Sequence, residues 1–341
     1  MQRLRLIYEQ LEEAKAHLLR RSLFNLRLAL ILADNTAELL LYNVLQRTFS
    51  RDDSLRPLRK NYELAGWPID SAIAVKYSEE EQARAEKEFE PMVQLVQRRL
   101  RLISASEATV LRIAHRLRRD AFHRGQIRED ILGPIVRLLF ATVVGLAQSE
   151  HFADLVQKFP PEDGDVAFVE RFGLDVKNFW CDDDYKRKFG IVLLKDAEFN
   201  SDEFRATLTN DLAGRVEAAI NQVSAFFDEK EQTEALLRRQ FTMGIPVEVR
   251  VAIRDSEAHV QELDRQFAVW RKTAIPLVTR EWLLRFREGV PRKLNSRHPA
   301  QVLATYWSLD KKFSPIEAFI EDYLAAIDRA IQLEIDIARG K

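Results

Sequence analysis

The chain has 341 residues, 46% of them apolar, enough for a sizeable core and long enough for two domains. Its 52 Lys and Arg stand against 53 Asp and Glu, a formal charge of −1. That balance excludes a protein that binds polyanions with its whole surface, so any nucleic-acid contact must be confined to a patch.

Glycine and proline are sparse, 11 of each, and Leu, Ala, Arg and Glu dominate, which predicts a mainly helical fold. Arg3–Leu19 and Leu23–Thr48 carry apolar residues at three- and four-residue spacing and are expected to form an antiparallel helix pair. Arg51–Lys76, with two prolines and a glycine, reads as an irregular connection with at most a short helix. Ser78 followed by Glu81 is a capping box, and helical pattern continues over Gln82–Ile103, ending in Arg98, Arg99 and Arg101. After a short turn comes Ser104–Gly125, opened by a second capping box, Ser104 and Glu107, and closed by Gly125. Ile131–Gln148 is almost wholly apolar and belongs at the centre of a first bundle.

Lys158–Asp165 concentrates Pro, Gly and acids, the composition of a boundary, which divides the chain into 1–157 and 158–341. Between Val166 and Phe199 the pattern is irregular, with Gly190–Leu194 read as a short strand. Helical periodicity returns from Ser201 in four or five segments, with breaks expected near Gly244–Pro246, Pro276, Gly289–Pro291 and Ser314–Pro315. This second helical domain alternates acids and bases without a single-sign patch. Trp270, Trp282, Phe286, Tyr306, Trp307, Phe313 and Phe319 gather in its last part as core or docking residues. Its expected role is regulation or partner recognition, not chemistry.

A single cysteine, Cys181, allows no internal disulfide and no Cys-based metal site, which fits a reducing compartment. With no signal-peptide pattern and no apolar run judged long enough for a bilayer, the expectation is cytoplasmic, away from membranes. No phosphate-loop, dinucleotide-binding or zinc-protease motif occurs. The acids of Trp180–Tyr185 read as a loop, so neither a metal nor another cofactor is expected.

The chemical signal lies in Ser104–Gly125. From Arg98 to Arg128 there are nine Arg against two acids, an excess that points to a phosphate-bearing partner. Val110, Ala114, Leu117 and Ala121 make its apolar face, while His115, Arg116, Arg118, Arg119, Phe122 and His123 take the remaining arc. An Arg and a His four to six residues apart occur as Arg118/His123, Arg254/His259 and Arg292/His298, and arginine is common enough that spacing alone decides nothing. Context selects the first. Arg254/His259 sits among Asp255 and Glu257 as a surface ion-pair face, and Arg292/His298 in a loop closed by Pro299.

Arg118-Arg-Asp-Ala-Phe-His-Arg-Gly125 resembles the motif of HEPN-domain proteins, over roughly the first 150 residues. Arg118 and His123 match its paired positions, Phe122 its aromatic, and Arg124-Gly125 its ending. Ala33–Leu40 is similar to the acidic second-helix pattern of these domains. Arg119 stands where Asn, Asp or His is commonest, with Asp120 one step later, so the sequence leaves open which of Arg118 and Arg119 pairs with His123. The resemblance implies a helical bundle and an RNA-cleaving protein of bacterial toxin or antiphage defence, with an antitoxin or defence protein as a partner.

RNA is cut without metal when its 2′-hydroxyl attacks the adjacent phosphate, which needs a base, an acid and a cation for the developing charge. The expected catalytic residues are therefore Arg118, His123 and Arg119, supported by Asp34, Glu38, Asp120 and Phe122, with Arg112, His115, Arg116 and Arg124 on the RNA. Asp34 and Glu38, one turn apart in an apolar run, have the Arg/His cluster as their simplest partner, with a solvent-directed acidic face equally weighted. One motif supplies one such His, so an isologous homodimer with a composite site is expected. The rival expectations are a non-catalytic RNA- or nucleotide-binding scaffold subunit and a helical interaction protein whose arginines meet acidic partner surfaces.

Overall fold

The computed structural model describes residues 2–71, 74–123, 128–149, 163–173, 185–226, 261, 264–269 and 280–339. Among them every regular element is helical: α1 Gln2–Arg20, α2 Leu23–Leu64, α3 Glu79–Lys87, α4 Phe89–Gln94, a π-helical turn Leu95–Leu100, α5 Ala105–His123, α6 Glu129–Gln148, α7 Asp163–Arg171, α8 Tyr185–Leu194, α9 Ser201–Phe226, α10 Arg280–Lys293 and α11 Pro299–Ala338. The mainly α class is as the composition implied. Two compact units form: residues 1–207 with 296–304, and residues 208–295 with 305–341.

In the first unit α1 and α2 run antiparallel, as His17 Nδ1 lies 2.7 Å from Asn25 Oδ1 near the turn and Thr36 Oγ1 donates to Gln10 Oε1 at 3.1 Å further along. α2 does not stop near Thr48 but continues to Leu64 through Pro57. Tertiary contacts hold the extension: buried Phe49 packs edge-to-face on Tyr77, and buried Asp52 accepts from the backbone N–H of Lys76 and Tyr77 at 3.0 and 2.8 Å. The segment expected as one helix over 82–103 is interrupted at Glu88, which is extended (φ −125°, ψ 128°). Pro91 is the cause, because its ring clashes with the carbonyl four residues back and it has no N–H to donate. Both capping boxes are in place, Ser78 with Glu81 and Ser104 with Glu107.

α6 is the core helix, with Leu132, Ile135, Val136, Leu139 and Val143 fully buried, and it packs on α1, α2, α5 and α8. Two helices, α2 and α6, contain windows long and apolar enough to cross a membrane, with mean hydropathy 1.4 and 1.8, although the sequence reading found no run of that length. In each, more than half of that window is buried inside the protein.

Gly190–Leu194 is not a strand; it is the end of helix α8. Tyr185, Phe189 and Leu193 recur every four residues and are buried, whereas Ile191 and Val192 face solvent, so the helical period wins over the local β-branched pair. α7 and α8 close over α1 by an aromatic cluster in which fully buried Tyr8 meets Phe168, Phe172 and Phe189 at centroid distances of 6.5, 6.4 and 4.5 Å. The Tyr8 hydroxyl donates to the Ala147 carbonyl at 3.0 Å, and burial pushes its pKa far above the ordinary phenol value. The first unit thus extends past the expected division at Gln157/Lys158, whose residues, with the rest of 150–162, lie outside the described ones.

The second unit is built on the later part of α9, on α10 and on the later part of α11. Ser314–Pro315 is not a break: α11 runs through it, held by buried Phe313, Ile316 and Ile320, and Gly289–Pro291 falls inside the last turns of α10. Tyr306 and Phe313 are core residues, and Trp282, Phe286 and Phe313 stack in series. Gly244–Pro246, Trp270 and Pro276 lie outside the described residues.

Candidate functional site

The site lies in the first unit where α2 crosses α5. Asp34, Asn35 and Glu38 fall on one face of α2, and His115 and Arg118, three residues apart, on one face of α5. Leu111, Ala114 and Leu117 are buried beneath α5, so the polar arc of that helix is fixed by its apolar one.

Asp34 is fully buried, and its Oδ2 accepts both from His115 Nδ1 at 3.0 Å and from Arg118 Nη1 at 2.8 Å. The same Nη1 donates to Asn35 Oδ1 at 2.7 Å and reaches Glu38 Oε2 at 3.4 Å, while Glu38 Oε1 stands 4.0 Å from His115 Nδ1. A carboxylate only accepts, so Nδ1 carries a proton, and a neutral His115 has its lone pair on Nε2. Phe89 of α4 stacks flat on the imidazole, centroids 4.0 Å apart and 11° from parallel. Ring rotation is thereby blocked on one side by an apolar face and at one nitrogen by a hydrogen bond.

The side chains of His115 and Arg118 remain about a quarter exposed, 25% and 27%, while the carboxylate that orients them is not exposed at all. Removing an unpaired carboxylate from water costs several kcal/mol, and here two donors converge on one oxygen to offset it. Oδ1 of Asp34 has no partner among the described residues. Around Arg118 all contacts fall on Nη1, and no described residue accepts from Nη2 or Nε. The guanidinium is gripped at one end and presents the other.

The expected partnership of Asp34 and Glu38 with the basic helix is therefore formed, but through His115 and Arg118. Arg118, not Arg119, turns to the acids; Arg119 is exposed, and Arg116 and Asp120 are half-buried. Arg112 lies 2.7 Å from Glu90 Oε1 in an ion pair. α5 reaches His123, but the side chains of Phe122 and His123, and the whole of Arg124, lie outside the described residues, as does His259; His298 stands just before α11. Asn35 and Phe89 had no assigned role in the sequence, and His115 was expected only to touch RNA. Its signal was available in the spacing, since His115 lies three residues before Arg118 and shares its face. Phe89 had none, because nothing local says that α4 folds back onto α5.

The chain matches no family model, no curated protein and no solved structure in the comparisons made.

Proposed function

We propose that this chain cleaves RNA without a metal ion, by attack of a 2′-hydroxyl on the adjacent phosphate. The observation that carries the reading is the Asp34 carboxylate, which orients an imidazole and a guanidinium side by side on a basic helix. His115 Nε2 takes the proton of the 2′-hydroxyl; the 2′-oxygen bonds to phosphorus and the bond to the 5′-oxygen breaks. The leaving oxygen takes a proton from a second imidazole, His123, on the same helix or from the helix of a second copy. Arg118 balances the charge of the phosphorane through Nη2 and Nε. Products end in 2′,3′-cyclic phosphate and 5′-hydroxyl. Arg116, Arg119 and Arg124 hold flanking phosphates, and a homodimer brings two such helices to one strand. As the resemblance of the 118–125 motif implies, the setting is toxin or antiphage defence.

The test is RNA cleavage in chelator by the wild type, His115→Ala, His123→Ala and Arg118→Ala, with growth on induction read in parallel. Wild type cleaves and arrests growth, and each variant loses both. Full cleavage by His115→Ala and His123→Ala together sinks the mechanism. The rival, a non-catalytic RNA-binding subunit, draws on the two carboxylates that compensate Arg118. It requires salt-sensitive RNA binding with no product from the wild type.

A further inference from the structure

A cavity of about 530 Å³ lies elsewhere in the first unit. Its wall is formed by the α1–α2 turn, the first half of α6, and the segment from Asp196 into α9. That size falls within the roughly 300–1,000 Å³ usual for small-molecule pockets. Arg21 and Arg137 both line it, and the side chain of neither makes a hydrogen bond or ion pair with any described residue. Arg118, Arg171, Arg215 and Arg287, by contrast, are each paired with acids.

Arg21 and Arg137 are like charges close enough to act on each other across that space, and a phosphate placed between them would relieve the repulsion. Burial, and then the charge of Arg21, pull the Arg137 pKa below its ordinary value, with Glu203 only partly offsetting them. Arg21 also holds a left-handed backbone (φ 56°), which a side-chain-bearing residue adopts at a cost and glycine adopts freely. A glycine would adopt that helix-end conformation at less cost.

The other wall limits what the anion is. Asp196, Glu198 and Glu203 put three carboxylates against two guanidiniums, which disfavours a polyanion such as an RNA backbone or a nucleoside triphosphate. They favour a ligand with one phosphate and several hydroxyl or amine donors. Phe199, half-exposed and packed edge-to-face on buried Phe204 at 5.3 Å, gives an apolar surface for a flat ring.

We infer that this cavity binds a nucleoside monophosphate, its phosphate between Arg21 and Arg137, its sugar hydroxyls or amino groups on Glu198 and Glu203, and its base against Phe199. The site is separate from the Asp34 cluster and does not depend on RNA cleavage.

Calorimetry of the full-length protein with AMP, GMP, CMP and UMP, with the four nucleosides, and with inorganic phosphate tests it. At least one monophosphate binds, and its nucleoside and free phosphate bind at least about tenfold more weakly, as expected for loss of one charge-assisted contact set. Arg21→Gly removes the charge while relieving the backbone, so it melts no lower than wild type yet weakens the monophosphate about tenfold or more. Arg137→Gln does the same with its fold checked by circular dichroism. Absence of binding by all four monophosphates overturns the inference. So does equal binding of inorganic phosphate, or unchanged affinity in a folded Arg21→Gly.

Discussion

Two arginines, one in each unit, are surrounded by acids, and they are used in opposite ways. Arg215 of α9 donates to Glu317 through Nε and Nη2, to Asp310 through Nη1 at 2.8 Å and to Ser314 at 3.4 Å, with Asp211 3.5 Å away. Its guanidinium also lies over the Phe313 ring at 5.3 Å. Burial pulls its pKa down, but the hydrogen bonds and charges of Glu317 and Asp310 outweigh that and hold it above the ordinary value. Every nitrogen is engaged, and the arginine ties α9 to α11. Arg118 uses one nitrogen on three oxygens and shares its main acceptor with a histidine. Saturation on all sides makes Arg215 a structural anchor, whereas one-sided anchoring leaves the rest of the Arg118 guanidinium open.

The comparison breaks most readily at Arg215. Arg215→Met leaves the three carboxylates of Asp211, Asp310 and Glu317 without that cation, and removal of one partner from a buried ionic cluster costs about 3–5 kcal/mol. The expected outcome is a lower midpoint in urea with RNA binding by the first unit retained. Arg118→Met is the matching change, and because part of the cluster is exposed its cost in stability is smaller, about 1–3 kcal/mol. Equal destabilisation by the two would erase the distinction.

Next in size are the residues that orient the site. Asp34→Asn preserves volume but presents His115 with an amide, and loss of the fixed tautomer is expected to lower RNA cleavage by about 10²–10⁴-fold. His115→Ala falls in the same range, and His115→Gln does not restore it. Cleavage rates at saturating RNA measure both, with melting curves as the control. If Asp34→Asn cleaves like wild type, Asp34 is a packing residue and the contrast with Arg215 collapses.

Ser104→Ala tests the helix that carries the site. Its hydroxyl accepts from Glu107 N at 3.1 Å, and loss of such a cap costs about 1 kcal/mol. A small drop in melting temperature with full cleavage is expected, since the anchored residues lie two or more turns along α5.

The helical class and both capping boxes were legible in the sequence because each depends on spacing within a few residues. The pairing of Asp34 and Glu38 with the basic helix was legible only as one of two equal readings, since an apolar run carries free carboxylates at a cost but a solvent-directed acidic face avoids it. What the sequence hid is tertiary. Phe168, Phe172 and Phe189 close on Tyr8 from beyond the Pro- and Gly-rich stretch, so a composition shift was read as a domain edge. Pro57 and Pro315 were read as breaks but stand inside helices whose flanks are pinned by Asp52 and Phe313. Pro91, in a segment read as one helix, interrupts it. The role of His115 as the imidazole on Asp34 needed the crossing of α2 and α5, which no local pattern encodes.

The smallest effect separates a surface carboxylate from the buried Asp34. The backbone N–H of Ser78 donates to Glu81 at 3.0 Å, and this bond, against the opposing effect of burial and with the help of the hydrogen bond and charge of Arg99, holds the Glu81 carboxyl below its ordinary range. A depressed folded pKa means that the contribution to stability is fully present above the unfolded carboxylate value. It is lost as the pH falls through the lowered one. Glu81→Gln keeps a weaker acceptor at the cap and removes the titration. Its melting temperature should fall slightly below wild type near neutral pH, and the gap should close as the pH drops below the ordinary carboxylate range. Salt should narrow the neutral-pH gap as well, because Glu81 and Arg99 are both exposed and screened. A gap that persists unchanged into strong acid would mean that Glu81 acts through packing at the start of α3 and not through its charge.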